Sequence, residues 1–152
     1  MKRIYNQDGV WYFDKYFAYL NKNIKKIPSN IQKIILDEEK YALNGENTLY
    51  DSKIIEFNYN EEHKKLTLVL LDAYFKRKYY YRFENVEAII FSKSILSTNS
   101  YLLIHEFSIS RKGAYKYRFL FDSGFEFSVY FSSLKINSSR KRRIKAYDIL
   151  NL

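Results

Sequence analysis

The chain contains no cysteine, and this absence excludes several kinds of site. Disulfides, zinc–thiolate centres, iron–sulfur clusters and cysteine nucleophiles all need a thiol. A chain without cysteine also fits a reducing compartment, so we expect a cytoplasmic protein. The two histidines, His63 and His105, lack the clustered spacing of metal ligands, so no metal or other cofactor is expected.

Glycine, proline and long apolar runs are also scarce. Four glycines leave little material for a phosphate-binding loop, and no nucleophile elbow or kinase signature is present, so we expect no enzyme. With one proline and no low-complexity linker, residues 1–152 are expected to form a single domain. No stretch approaches the roughly 18 apolar residues that span a bilayer, and no signal-peptide core is present, so no membrane partner is expected.

The chain is rich in aromatic residues and in positive charge. Aromatic side chains make up 19% of the residues, which is ample for a core. The formal net charge is +9, and residues 77–152 hold 14 basic and 6 acidic side chains against 12 and 11 in residues 1–76. A basic excess attracts anionic partners. A coding sequence rich in A and T, which favours Lys, Asn, Ile and Tyr, is the alternative source of this excess.

The apolar pattern changes period near residue 48. Spacings of three and four predict helices over about 10–27 and 29–43, within a helical part over residues 1–47. Alternation with period two then predicts about seven strands, and residues 48–137 form the antiparallel β part. We expect an α+β fold, with two N-terminal helices packed on a roughly seven-strand antiparallel sheet curled into a sandwich or a roll. Residues 138–152 are expected to be a basic C-terminal tail.

The same alternation predicts which strand residues face the core and which face a partner. The predicted core residues are Leu66, Leu68, Leu70, Phe119, Phe121, Phe125, Phe127 and Val129. Alternation places Arg82 and Arg118 on the face opposite Phe83 and Phe119, so both arginines are expected to be exposed and to contact a protein. The candidate partner-binding residues are Arg82, Arg118, Arg140, Lys141, Arg142 and Arg143.

Cations also alternate with aromatic residues over 74–82 and 115–119. Such stretches suit base stacking and phosphate binding, or else they form a sheet with an aromatic core face and a solvated basic face. Asp51 at a strand start either bonds nearby backbone N–H groups or acts as a ligand or a base. His63, in a Glu-rich turn, is expected to be solvated.

Residues 49–71, LYDSKIIEFNYNEEHKKLTLVLL, resemble a pattern in uncharacterised small β-rich bacterial proteins. That pattern has a leucine or an aromatic residue, then His-Asp-Ser, an isoleucine-containing strand, a polar turn and Leu-Thr-Leu. An F-x-N-V strand and an F-x-x-G-x-x-F hairpin follow, matched here by residues 83–86 and 121–127. The resemblance covers about residues 49–136, but Tyr50 stands where the pattern has histidine. A metal or acid–base function of that histidine is therefore not expected here.

Two functions from different classes stay open at this point. Some proteins similar to this pattern are immunity proteins of bacterial toxin systems. The resemblance therefore implies a non-enzymatic protein-binding module whose partner is another protein, a toxin in the immunity case. The alternative is a nucleic-acid-binding protein that uses the basic C-terminal half, for which weak, non-specific binding is expected.

Overall fold

The computed structural model describes residues 2–92, 100–110 and 114–140. Within these residues the chain forms two α-helices and three antiparallel sheets. The helices are α1 (Asp14–Lys22) and α2 (Ser29–Ile35). The strands are β1 (Tyr5–Gln7), β2 (Val10–Tyr12), β3 (Lys53–Asn60), β4 (Lys65–Leu71), β5 (Arg77–Glu84), β6 (Ala88–Phe91), β7 (Leu102–Ile109), β8 (Tyr115–Phe121), β9 (Glu126–Phe131) and β10 (Ser133–Arg140). Of the predicted basic tail, residues 141–152 lie outside the described residues.

The N-terminal part begins with a hairpin that the helical prediction missed. Strands β1 and β2 pair across Asp8 and Gly9, whose φ angles are 52° and 81°. Two consecutive positive φ angles suit a tight hairpin turn, and Asp-Gly is among its preferred sequences. The predicted helix over 10–27 was therefore wrong at its start, because residues 10–12 are a strand. The Asp-Gly pair was the signal that could have found this hairpin.

Two helices do follow, but each is shorter than predicted. Helix α1 buries Tyr16 and Leu20, and α2 buries Ile31 and Ile35. Beyond α2 the chain forms a short 3₁₀ turn (Glu38–Tyr41) instead of continuing the helix. No helix in the described part of the chain combines the length and the apolar character needed to cross a membrane.

The remaining strands form two four-stranded sheets where one sheet of about seven strands was predicted. Sheet I has the order β10-β5-β4-β3, and sheet II has the order β6-β9-β8-β7. Strand β10 was missed because its sequence, SLKINSSR, offers only Leu134 and Ile136 to the core. The antiparallel α+β class is confirmed, and the single sheet was wrong.

The two sheets arise because one long pair of strands bends between them. Strand β5 continues into β6 past Asn85, whose φ is 50°, and β9 continues into β10 past Ser132. Backbone bonds persist on both sides of the bend, from Glu87 N–H to Tyr130 O at 2.8 Å and from Ser132 N–H to Glu84 O at 3.3 Å. At the bend, three residues of one strand, 85–87, lie opposite only two residues of the other, 131–132. An extra residue on one strand bends the pair, as in a β-bulge, and turns it from one sheet into the other.

The core lies between the two sheets and is dominated by aromatic rings. Rings from opposite sheets meet edge to face, with centroids 5.6 Å apart for Tyr81 and Phe119 and 4.9 Å apart for Phe83 and Phe131. Such edge-to-face contacts add stability beyond the area that they bury. The prediction of eight core residues is confirmed, since each has an exposed fraction of 5% or less.

The N-terminal part covers an edge of each sheet. The backbone N–H groups of Phe107 and Ile109, on edge strand β7, donate to the hydroxyls of Tyr16 and Tyr19 of α1, both at 2.9 Å. On the edge of sheet I, the Asn30 amide of α2 donates to the carbonyl oxygen of Leu134 at 2.6 Å. These three backbone groups are occupied by the N-terminal part and are not available to pair with another strand.

Candidate functional site

The structure describes three of the six predicted partner-binding cations and does not bring them together. Arg82 lies on β5 of sheet I and is exposed. Arg140 is exposed at the end of β10, where it pairs with Arg77. The residue that pairs with Arg82 lies five positions earlier on β10, so Arg140 lies roughly 17 Å along the strand from the level of Arg82. Arg118 belongs to sheet II. Lys141, Arg142 and Arg143 lie outside the described residues.

Arg118 is buried, so its predicted exposure was wrong. Its exposed fraction is 5%, and its Nη2 lies 2.8 Å from Oε2 of Glu106, which is itself 4% exposed. The Glu106 carboxylate also accepts the backbone N–H groups of Arg3 at 3.1 Å and Ile4 at 3.2 Å. The N-terminal segment therefore crosses the outer face of sheet II and encloses this ion pair. Arg118 cannot contact a partner unless that segment moves.

Arg82 has the environment that was predicted for both arginines. Alternation places Lys78, Tyr80 and Arg82 on the outer face of sheet I, while Tyr81 and Phe83 point into the core with exposed fractions of 0% and 1%. The Arg82 guanidinium lies 5.5 Å from the centroid of the Tyr80 ring. We call this outer face, formed by β3, β4, β5 and β10, the basic face.

The basic face carries more cations than carboxylates. By register its charged residues are Lys53, Lys65, Lys78, Arg82, Lys135, Glu56 and Glu84. None of its five cations forms an ion pair within the described residues. By register Lys53 and Lys78 flank Leu71, which points to the same side as Val69, and these two apolar side chains are 1% and 2% exposed. The face is thus a positively charged surface over an apolar base.

A cleft of about 290 Å³ lies at one end of sheet I. Its lining residues come from the start of β3, the β4–β5 turn and the residue before β7, and they are Asp51, Lys53, Asp72, Ala73, Phe75 and Tyr101. Of these residues, only Asp51 was singled out from the sequence as a possible ligand or base. Asp72 and Tyr101 were missed because nothing local relates them to Asp51 along the chain.

The Asp51–Ser52 corner joins the two sheets. Asp51 N–H donates to the Leu102 carbonyl oxygen, and Leu102 N–H donates to the Ser52 carbonyl oxygen, both at 2.8 Å. These bonds tie the start of β3 to the start of β7. Asp51 has a φ of 61°, a left-handed conformation that Asp and Asn tolerate better than most residues. Partial burial, together with the charge of Asp122, raises the pKa of the Asp51 carboxyl.

The β4–β5 turn is organised by Asp72, which is only 2% exposed. Its Oδ1 accepts the backbone N–H groups of Lys76 at 2.8 Å and Arg77 at 3.1 Å. Phe75, with a φ of 57°, donates its N–H to the Asp72 carbonyl oxygen at 3.1 Å. One carboxylate oxygen of Asp72 is therefore committed to the turn.

The two histidines lie far apart in the fold and in different environments. His63 is exposed in the β3–β4 turn, as expected, where its N–H donates to Asn60 Oδ1 at 3.0 Å. His105 is buried between the sheets and the N-terminal part, with Nδ1 2.8 Å from the Tyr117 hydroxyl and its ring stacked 4.2 Å from Tyr41. Burial lowers the pKa of His105 from 6.5 to about 3. Within the described residues, no three acidic or histidine side chains are grouped to hold a metal ion.

No model of a known protein family matches the chain, and no curated protein matches it as a relative. The resemblance of residues 49–136 to small β-rich bacterial proteins therefore stays a prediction. The functions of the basic face and of the cleft are therefore inferred from their geometry.

Proposed function

We propose that the chain is a non-enzymatic protein-binding module that recognises an acidic protein surface through its basic face. The observation that carries this proposal is the absence of ion pairs at the five cations of that face within the described residues. Cations without an internal partner keep their charge available for carboxylates on another molecule. The flat sheet surface presents Arg82 beside Tyr80, and arginine and tyrosine are enriched at protein interfaces.

The placement of the aromatic rings favours a protein partner over nucleic acid. Sequence-tolerant binding of single strands needs exposed rings on which bases stack. In the two stretches where aromatics alternate with cations, Tyr79, Tyr81, Tyr117 and Phe119 are at most 1% exposed, in the core. Tyr74, at 49% exposed, lies in the β4–β5 turn and not on the basic face, so these stretches place one ring on that face, the partly exposed Tyr80. Nucleic-acid binding remains the alternative, supported by the basic charge alone.

The resemblance gives this partner a more specific form, the toxin of an immunity pair. An immunity protein must bind its toxin tightly, and a toxin that acts on an anionic or cationic substrate carries a charged cleft. A cleft lined with carboxylates would be complementary to the basic face. The partner is then encoded beside this chain, which makes the proposal testable.

The test is co-expression of the adjacent gene product with the tagged chain, followed by affinity capture and measurement of the dissociation constant. Arg82→Glu and Lys135→Glu should each weaken a 1:1 complex by roughly tenfold or more, since each reverses a charge in register on the basic face. Lys22→Glu, an exposed charge reversal at the end of α1, is the matched control and should leave affinity unchanged.

Two results would contradict the proposal. A complex that Arg82→Glu and Lys22→Glu weaken equally would place the interface elsewhere. If no adjacent gene product is captured, and none is toxic in the absence of this chain, the immunity function is to be abandoned.

A further inference from the structure

We propose that the cleft between the start of β3 and the β4–β5 turn binds a small zwitterion, a free α-amino acid with an apolar side chain. The ligand would place its ammonium group on Asp72 and Asp51, its carboxylate on Lys53 and its side chain against the aromatic wall. This site shares Lys53 with the basic face, but the proposal does not depend on the protein interface proposed above.

The first observation is a carboxylate oxygen without a protein partner on a residue that lines the cleft. Asp72 is 2% exposed, lines the cleft, and uses Oδ1 for the two backbone N–H groups of its turn. Its Oδ2 has no hydrogen-bond donor or cation among the residues that the structure describes. This oxygen is not among the buried polar atoms that lack a partner, so solvent reaches it, and an ammonium group in the cleft would supply both a charge and a donor.

The second observation is another carboxyl group in the same cleft. Asp51 is held there by the bonds that join β3 to β7, so its position is determined by the fold and not by a mobile side chain alone. Burial and the nearby charge of Asp122 raise the pKa of Asp51, and Asp51 forms no ion pair within the described residues.

The third observation concerns Lys53, the cation of the cleft. Its Nζ lies 5.4 Å from the centroid of the Tyr101 ring and forms no ion pair with Asp51 or Asp72. An ammonium group that rests on an aromatic face instead of on the adjacent carboxylates stays available to an anion. The carboxylate of a zwitterion would meet it there, whereas a simple amine would leave it without a partner.

The remaining walls are apolar and limit the size of the ligand. Ala73, Phe75 and Tyr101 form this part of the cleft, and Phe75 is held by the turn that Asp72 organises. The volume of about 290 Å³ lies near the lower end of small-molecule pockets, which span about 300–1,000 Å³. An amino acid with an aliphatic side chain suits both the size and the chemistry of this cleft.

The test is calorimetric titration of the whole chain with three matched probes. L-Leucine carries both charges, isoamylamine lacks the carboxylate, and isocaproate lacks the ammonium group. We expect leucine to bind and the two truncated probes to bind at least tenfold more weakly, because each forfeits a charge-assisted contact. Binding of isoamylamine as tight as that of leucine would overturn the proposal, and so would the absence of binding by leucine.

Substitutions then locate the site. Asp72→Asn keeps the acceptor for the turn but removes the charge, Asp51→Asn suits the left-handed backbone, and Lys53→Met keeps an aliphatic stem of similar length. Each should weaken leucine binding about tenfold or more. The matched controls are Asp8→Asn, at another left-handed position, and Lys22→Met, at an exposed lysine at the end of α1; both should bind leucine normally. Unchanged binding by Asp72→Asn, or tighter binding by Lys53→Met, would contradict the assigned contacts.

Discussion

The outer faces of the two sheets carry similar residues and have opposite environments. In sheet I, Lys78 and Arg82 alternate with buried tyrosines, and in sheet II Lys116 and Arg118 do the same. Arg82 is exposed, whereas Arg118 is 5% exposed and bonded to Glu106. The difference is the N-terminal segment, which crosses sheet II and leaves sheet I open. Alternation therefore decides which side of a sheet a residue occupies, and the packing of other segments decides whether that side meets solvent.

The largest expected effect is the loss of stability when the buried Arg118 is neutralised. Arg118→Met should lower the free energy of unfolding by about 3–5 kcal/mol, because it leaves the Glu106 carboxylate buried without its cation. Arg82→Met, the matched variant on the open face, should change it by about 0.5 kcal/mol or less. Urea denaturation measures both. Equal effects would show that the two faces do not differ in the way the structure describes.

The histidines extend the comparison to pH. Since the pKa of buried His105 falls from 6.5 to about 3, the unfolded chain binds a proton there at pH values where the folded protein does not. The free energy of unfolding should therefore fall as the pH drops below 6.5, by at most about 1.4 kcal/mol per pH unit from this residue. This dependence should level off near pH 3.

Denaturation of His105→Gln between pH 7 and 4 checks this expectation. Its pH dependence should be shallower than that of the unsubstituted protein, because the titrating group is gone. His63→Gln, in the exposed turn of sheet I, should keep the original dependence. A His105→Gln profile parallel to that of the unsubstituted chain would contradict the assignment.

A smaller effect is expected from the tyrosine hydroxyls. Tyr16→Phe removes the acceptor of the Phe107 N–H on the covered edge of sheet II, and an unpaired buried donor costs about 1–3 kcal/mol. Tyr80→Phe, on the basic face, should have almost no effect on stability. Thermal or urea denaturation compares the two variants. A similar loss in both would mean that the hydroxyl of Tyr16 does not protect the edge strand.

The smallest expected effect is binding to nucleic acid. If the basic charge acts without specificity, affinity for duplex DNA should be weak and vanish near physiological salt, with a slope of about −0.9 per phosphate contact in log K against log salt. Fluorescence anisotropy over a salt series measures this slope. Tight binding at physiological salt that is lost on neutralising Arg140, Lys141, Arg142 and Arg143 would favour the nucleic-acid alternative.

Local patterns in the sequence were sufficient for the core faces of the strands. Strands β4, β8 and β9 show alternation that depends only on their own residues, so Leu68, Phe119 and Phe127 could be placed correctly. The β1–β2 hairpin was equally local and could have been predicted from Asp8 and Gly9.

What the sequence by itself determined is therefore the antiparallel α+β class and the inward side of strands β4, β8 and β9, because both follow from periodicity and turn chemistry over a few residues. Only the tertiary structure decided that the chain bends at Asn85 and Ser132 into two sheets, that Glu106 neutralises Arg118, and that Asp51 and Asp72 line one cleft. Each of these features joins residues that lie far apart along the chain. Their energies depend on burial and on charge partners that no local pattern specifies.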